Sequence, residues 1–121
     1  MAKSPAVKVV ETYLDALYVK KDADAAGASL ASDLHFKGPI DTFHRASDLT
    51  QSLKALAPIT EGIKIRKLWA DGDDVVAIYD FVTRTPAGTV LLAEWFHVVD
   101  GKIKAINLLF DPRPFLALRG P

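Results

Sequence analysis

The chain has 121 residues, 50% hydrophobic and 25% charged, a composition that describes one globular domain with a single core and excludes a disordered chain. Lysine plus arginine and aspartate plus glutamate balance at 15 each, so no summed field favours nucleic acid or an anionic membrane, and neither is expected as a partner. Cysteine is absent, which removes disulfides, thiol nucleophiles and cysteine metal sites together. No stretch approaches the roughly 18 apolar residues of a spanning helix, and the N-terminus has no signal-peptide core; the expectation is a soluble, cytoplasmic protein forming one domain over residues 1–121.

Ser4 followed by Pro5 reads as a helix start, a capping hydroxyl with proline at the first helical position. Val7, Val10, Leu14 and Leu17 then recur at helical spacing with Tyr13 beside them. "KDADAAGASLASD" predicts a second short helix begun at Asp22, weakened by Gly27 and closed near Ser32 to Asp33. "LHFKGPI" reads as a short extended piece broken by Gly38 and Pro39. A third helix fits "ASDLTQSLKALAP", with Ser47 as cap, Leu49, Leu53 and Leu56 on one face and Pro58 as stop.

Beyond Pro58 the period changes to two. "GIKIRKLWA", "VVAIYDFVTRT", "TVLLAEWFHVV" and "KIKAINLLF" read as strands, separated by turns at "DGDD", "PAG" and "DG". Helices followed by a long antiparallel meander make an α+β layout. The tail "DPRPFLALRGP" is expected to lie across the surface or a pocket mouth. The short basic clusters at 20–21 and 64–67 lack interleaved aromatics and read as solvated faces.

Alternation in Thr89–Val99 sets Val90, Leu92, Glu94, Phe96 and Val98 on one face and Leu91, Ala93, Trp95, His97 and Val99 on the other. Both faces are largely apolar, yet only one can meet the helices. A homodimer through the outer face, with Trp95 and His97 in the contact, would bury the surplus. Aligning neighbouring strands by face surrounds Glu94 with Tyr79, Phe81, Phe96 and Leu108.

The helix with "YLDALYVKKDADA", the "F-x-G-P-I" extension, the helix opened by "ASDL", and "EWFHVVDGKI" followed by "INLLFDP" resemble the nuclear transport factor 2-like superfamily. Within it, they are similar to the SnoaL-like and ketosteroid isomerase-like branch. The resemblance covers nearly the whole chain and implies a cone-shaped fold, in which a curved antiparallel sheet wraps three N-terminal helices around an apolar pocket. It also implies dimers through the sheet's convex face. Ketosteroid isomerases place a helix tyrosine and a protonated strand acid around an oxyanion, opposite an aspartate base. The first two match Tyr13 and Glu94, but the base falls at Gly38. The polyketide-cyclase-like and limonene epoxide hydrolase-like branches use an acid on the last strand, where this chain has Leu108 beside Asn107. Both departures count against those chemistries.

A lone carboxylate in an apolar cavity needs a raised pKa or a partner. Glu94 therefore reads as a pocket acid that, with Tyr13, donates to a ligand carbonyl, or as a structural hydrogen-bond partner. Tyr13 reads equally as a core aromatic, and Asp41 as a substitute base or a solvated turn acid. Tyr79, Phe81, Phe96, Leu108, Phe110, Leu17, Leu53 and Trp69 are candidates to line a site for a small hydrophobic molecule, or simply to fill the core. No histidine pair has metal-ligand spacing in the sequence, so no metal and no cofactor are expected. Three functions stay open: an enzyme acting on carbonyl compounds by enolisation or isomerisation, a non-catalytic binding module, and an accessory domain with a closed pocket.

Overall fold

The computed structural model describes residues 4–119. Helix α1, Pro5–Leu14, opens as the sequence predicts, with the Ser4 hydroxyl accepting from the Val7 N–H at 3.2 Å. It does not end where α-periodicity suggests. It passes into one wide π-turn, Asp15–Val19, in which the Lys20 N–H donates to the Asp15 carbonyl at 3.0 Å. Tyr13, Leu14, Ala16, Leu17 and Tyr18 are all buried along this stretch.

Helix α2 is confined to Ala23–Gly27, capped by Asp22, whose carboxylate accepts from the Ala25 N–H at 3.0 Å. The sequence reading carried this helix to Ser32–Asp33. Instead strand β1, Leu30–Lys37, begins there, because Leu30, Leu34 and Phe36 are taken into the core. Gly27 lies where a Cβ would meet Thr50 Oγ1 at 2.7 Å, so its missing side chain lets α2 approach the third helix. After β2, Thr42–Phe43, that helix (α3) runs Ala46–Leu53. Arg45, not Ser47, is its N-cap and offers no side-chain bond, and the helix ends before Pro58. Residues after Leu53 continue as hydrogen-bonded turns that carry Leu56 and Ile59 against the core.

Strands β3 (Thr60–Asp71), β4 (Asp74–Thr83), β5 (Thr89–Val99) and β6 (Lys102–Leu109) form the expected meander. The β5–β6 hairpin turns at Asp100 and Gly101, both with positive φ, as a two-residue loop of this kind requires. The whole is one curved, unclosed six-stranded sheet in the order β2-β1-β6-β5-β4-β3. One pairing departs from the antiparallel expectation, since β1 runs parallel to β6. The tail adds a short helix, α4, Arg113–Leu116.

Strand alternation decides which residues meet the helices. Val75, Ala77, Tyr79 and Phe81 of β4, Val90, Leu92, Glu94, Phe96 and Val98 of β5, and Ile103 and Ile106 of β6 are buried against α1 and its π-turn. The opposite face has no covering element among the described residues: Trp95 is 50% exposed, Leu91 55%, Leu109 66% and Trp69 43%. Among the described residues, no helix is long and apolar enough to cross a membrane.

Candidate functional site

Between the concave face of the sheet, α3 and the tail lies a cavity of about 270 Å³. Phe36, Phe81, Leu92 and Leu108 form its sheet wall, Leu49 and Leu53 come from α3, and Phe110 and Phe115 close it from the C-terminal side. Phe115 of α4 stacks on Phe81 at 6.3 Å between centroids and meets Phe110 edge-on at 5.6 Å. The tail is therefore a wall of the cavity, consistent with its expected place across a pocket mouth. The turn Gly38–Asp41, closed by the Gly38 N–H donating to the Asp41 carbonyl at 2.9 Å, forms another part of the lining.

Of the sequence candidates, Phe81, Leu108, Phe110, Leu53 and Asp41 line this cavity. Tyr13, Leu17, Tyr79, Glu94, Phe96 and Trp69 do not. Tyr13 is sealed in the core edge-on against Phe96, with ring centroids 5.9 Å apart. Leu17 is a core residue bordering a separate polar depression lined by Lys20, Lys21, Asp22, Asp24 and Lys54. Trp69 lies on the outer face of the sheet, opposite Val76 of β4, with the Lys67 ammonium 6.0 Å from its ring.

Glu94 is 4% exposed, one layer behind the cavity. Its partner is the Tyr79 hydroxyl on β4, which donates to Glu94 Oε1. Tyr79 in turn shares a hydrogen bond of 3.1 Å with the Tyr18 hydroxyl, and Tyr18 lines the cavity. A buried chain of three polar groups thus links the acid to the pocket wall. Removal from water pushes the Glu94 carboxyl up to about 7, against the smaller opposing effect of the Tyr79 bond. Burial, reinforced by the Glu94 charge, raises the Tyr18 and Tyr79 hydroxyls well above the ordinary phenol value, so both remain protonated donors.

Sequence reasoning missed Phe36, Leu49, Leu92 and Phe115 of the apolar lining and, of the polar chain, Tyr18. An α-helix turns by about 100° per residue, so five positions past Tyr13 the side chain would leave the core face. The π-turn widens the repeat and returns Tyr18 to that face, where its ring lies 5.7 Å from those of Tyr79 and Phe81.

A Cβ on Gly38 would lie 3.3 Å from the Phe36 ring and 3.6 Å from Leu108 Cδ2, so Gly38 and Leu108 lie together in an apolar part of the cavity wall. Asp41 is the carboxylate of this turn and is exposed. Among the described residues, no group of three or more histidine, aspartate or glutamate side chains is set to hold a metal ion.

A curved open sheet over N-terminal helices, with an apolar cavity between them, defines a nuclear transport factor 2-like α+β cone. The family model of the SnoaL-like domain matches residues 10–106, and the chain belongs to that family. Its fold is similar to a nuclear transport factor 2-like protein of unknown function from Cytophaga hutchinsonii ATCC 33406, at 22% identity, TM-score 0.79, and 95% and 97% coverage of this chain and that one. It is also similar to an epoxide hydrolase from M. tuberculosis of the limonene-epoxide-hydrolase-like kind, at 24% identity, TM-score 0.76, and 96% and 91% coverage. A candidate ketosteroid isomerase from Kribbella flavida DSM 17836 aligns at 15% identity, TM-score 0.76, and 88% and 78% coverage. No curated protein matches the sequence.

Proposed function

We propose that this protein binds a small, mostly apolar molecule carrying one carbonyl or hydroxyl oxygen, and that Tyr18 reads that oxygen. The observation that carries the reading is the Tyr18–Tyr79–Glu94 chain, because it ends on the cavity wall and its donor direction depends on the acid. Each tyrosine hydroxyl has one proton. When Glu94 is ionised, Tyr79 donates to it, Tyr18 donates to Tyr79, and only lone pairs of Tyr18 remain for a ligand. When Glu94 is protonated, it can donate to Tyr79 and Tyr79 to Tyr18, which frees the Tyr18 proton for a ligand carbonyl. With the carboxyl near 7, both forms exist at neutral pH. A cavity of about 270 Å³ suits a molecule of one or two rings, since ligand sites commonly run roughly 300–1,000 Å³.

Asp41 favours a second reading, enolisation of a bound carbonyl compound. Its carboxylate would take the proton from the carbon beside the carbonyl, while Tyr18 donates to the developing oxyanion. Binding without chemistry is the better-supported reading, because the resemblance sets Gly38 and Leu108, which cannot take a proton, where relatives carry acids, and Asp41 is exposed at the turn.

The apolar outer face fits a homodimer contact. Trp69, Val76, Trp95 and Asn107 are successive register partners across β3, β4, β5 and β6, and Asp74 accepts from both Trp95 Nε1 at 2.9 Å and His97 Nδ1 at 3.1 Å. That shared acceptor holds the indole in place for a second copy.

A panel of small enones and phenols tests the reading. Saturable binding that weakens in Tyr18→Phe supports it, and turnover above buffer that is lost in Asp41→Asn selects the enolising form. Absence of any binding would mean a closed pocket, as an accessory domain would have.

A further inference from the structure

His35 and His44 are nine positions apart in the chain, a spacing that suggests no ligand pair. The sheet changes this. β1 and β2 pair with Phe36 opposite Phe43, so the antiparallel register brings His35 to His44, just past the end of β2. Their Nδ1 atoms share a hydrogen bond of 3.2 Å, one imidazole donating and the other accepting, and the rings meet edge-on at 4.7 Å between centroids. Both side chains are exposed.

We propose that His35 and His44 form a two-imidazole site for a divalent transition-metal ion of the zinc or nickel type, on the outside of the cavity wall. Two imidazole nitrogens bound to one tetrahedral ion at about 2.0–2.1 Å lie about 3.3 Å apart, close to the separation already present. The ring that donates in the hydrogen bond between them must carry its proton on Nε2 instead, the other neutral tautomer, and a small adjustment of the two rings then turns both Nδ1 lone pairs toward a common point. Anchorage on neighbouring strands keeps the donors near each other before any ion arrives, which lowers the ordering cost of binding. On the other side of His35 its register partner is Ala105 of β6, whose side chain offers no further donor.

Among the described residues no third carboxylate or imidazole completes the set, so water would fill the remaining positions. Asp33, the nearest acid on β1, is held by the Lys104 ammonium. The exposed neighbours Lys37 and Arg45 add positive charge, so the site must rely on nitrogen donor strength and not on a favourable field. An ion here would also clamp the base of the hairpin whose tip, Gly38–Asp41, lines the cavity.

The test is titration of the full chain with zinc chloride, followed by calorimetry and by NMR of the imidazole nitrogens, in wild type, His35→Gln, His44→Gln and the double variant. Both histidines are exposed, so the variants should fold, and the unliganded melting temperature checks that they do. The expected result is one ion per chain, perturbation of both Nδ1 resonances, and affinity reduced about tenfold or more in each single variant. Zinc should raise the melting temperature of wild type and leave that of the double variant unmoved. Undiminished binding in the double variant would place the ion elsewhere and overturn the proposal, as would no saturable binding by wild type.

Discussion

Tyr79 and Glu94 face inward from adjacent strands, and the tyrosine hydroxyl donates to the carboxylate inside the core. The bond holds an acid where water cannot solvate it, and it opposes without cancelling the rise in the acid's pKa. Ionised Glu94 is consequently a cost to the fold. The folded value lies near 7 and the reference near 4.5, so the native state holds the proton more tightly than the unfolded chain. Stability from this group is fully present below about pH 4.5 and is lost as pH rises through about 7.

Glu94→Gln keeps the shape and removes the titration. Relative to wild type, this variant should gain about 3 kcal/mol in stability between about pH 4 and pH 8, at roughly 1.4 kcal/mol per pKa unit. Urea unfolding at both pH values checks the difference. A difference independent of pH would show that the acid does not titrate in this range.

The two relay tyrosines should behave differently. Tyr79→Phe leaves Glu94 without its buried donor, so it should destabilise the fold by about 1–3 kcal/mol above pH 7 and raise the Glu94 pKa further. Tyr18→Phe keeps the Tyr79–Glu94 bond and should cost only about 1 kcal/mol of stability, while weakening a ketone ligand about tenfold. Paired unfolding and binding curves on the two variants separate the roles.

Phe115 connects the tail to the cavity through its contacts with Phe81 and Phe110. Phe115→Ala should open that side, speed ligand release and lower stability by about 1–3 kcal/mol. Stopped-flow displacement of a fluorescent apolar probe reads the release rate, and an unchanged rate would mean that the tail does not retain the ligand.

On the outer face, Trp95→Lys places a charge at the centre of the proposed contact between copies. Sedimentation velocity should show wild type as a dimer and the variant as a monomer at the same concentration. A monomeric wild type would remove the dimer reading and leave the cavity reading untouched.

Most of the sheet was legible in the sequence because its strands alternate cleanly and its turns carry Gly or Pro. The Thr89–Val99 strand and the face that Glu94 shares with Val90, Leu92, Phe96 and Val98 follow from period two, while the choice of that face as the inner one comes with the family resemblance. Three features could not be read in that way. The parallel β1–β6 pair depends on long-range register, which ended α2 early and turned its expected last residues into strand. Tyr18 was hidden because the π-turn breaks the helical period that places side chains. Depth was the third: alternation gives the face of a strand but not the distance along it to an opening, so Glu94, Tyr79 and Phe96 point inward without lining the cavity.

The central claim is that Glu94 sets whether Tyr18 donates or accepts at the cavity wall. Carbon-13 NMR of the Glu94 side-chain carboxyl, titrated with pH in the free protein and with a small cyclic ketone bound, tests it most directly. A ketone needs a donor and so favours protonated Glu94; its binding should raise the pKa above the free value of about 7, and Tyr18→Phe should abolish the rise. A Glu94 pKa that ketone binding leaves unmoved or lowers would contradict the account.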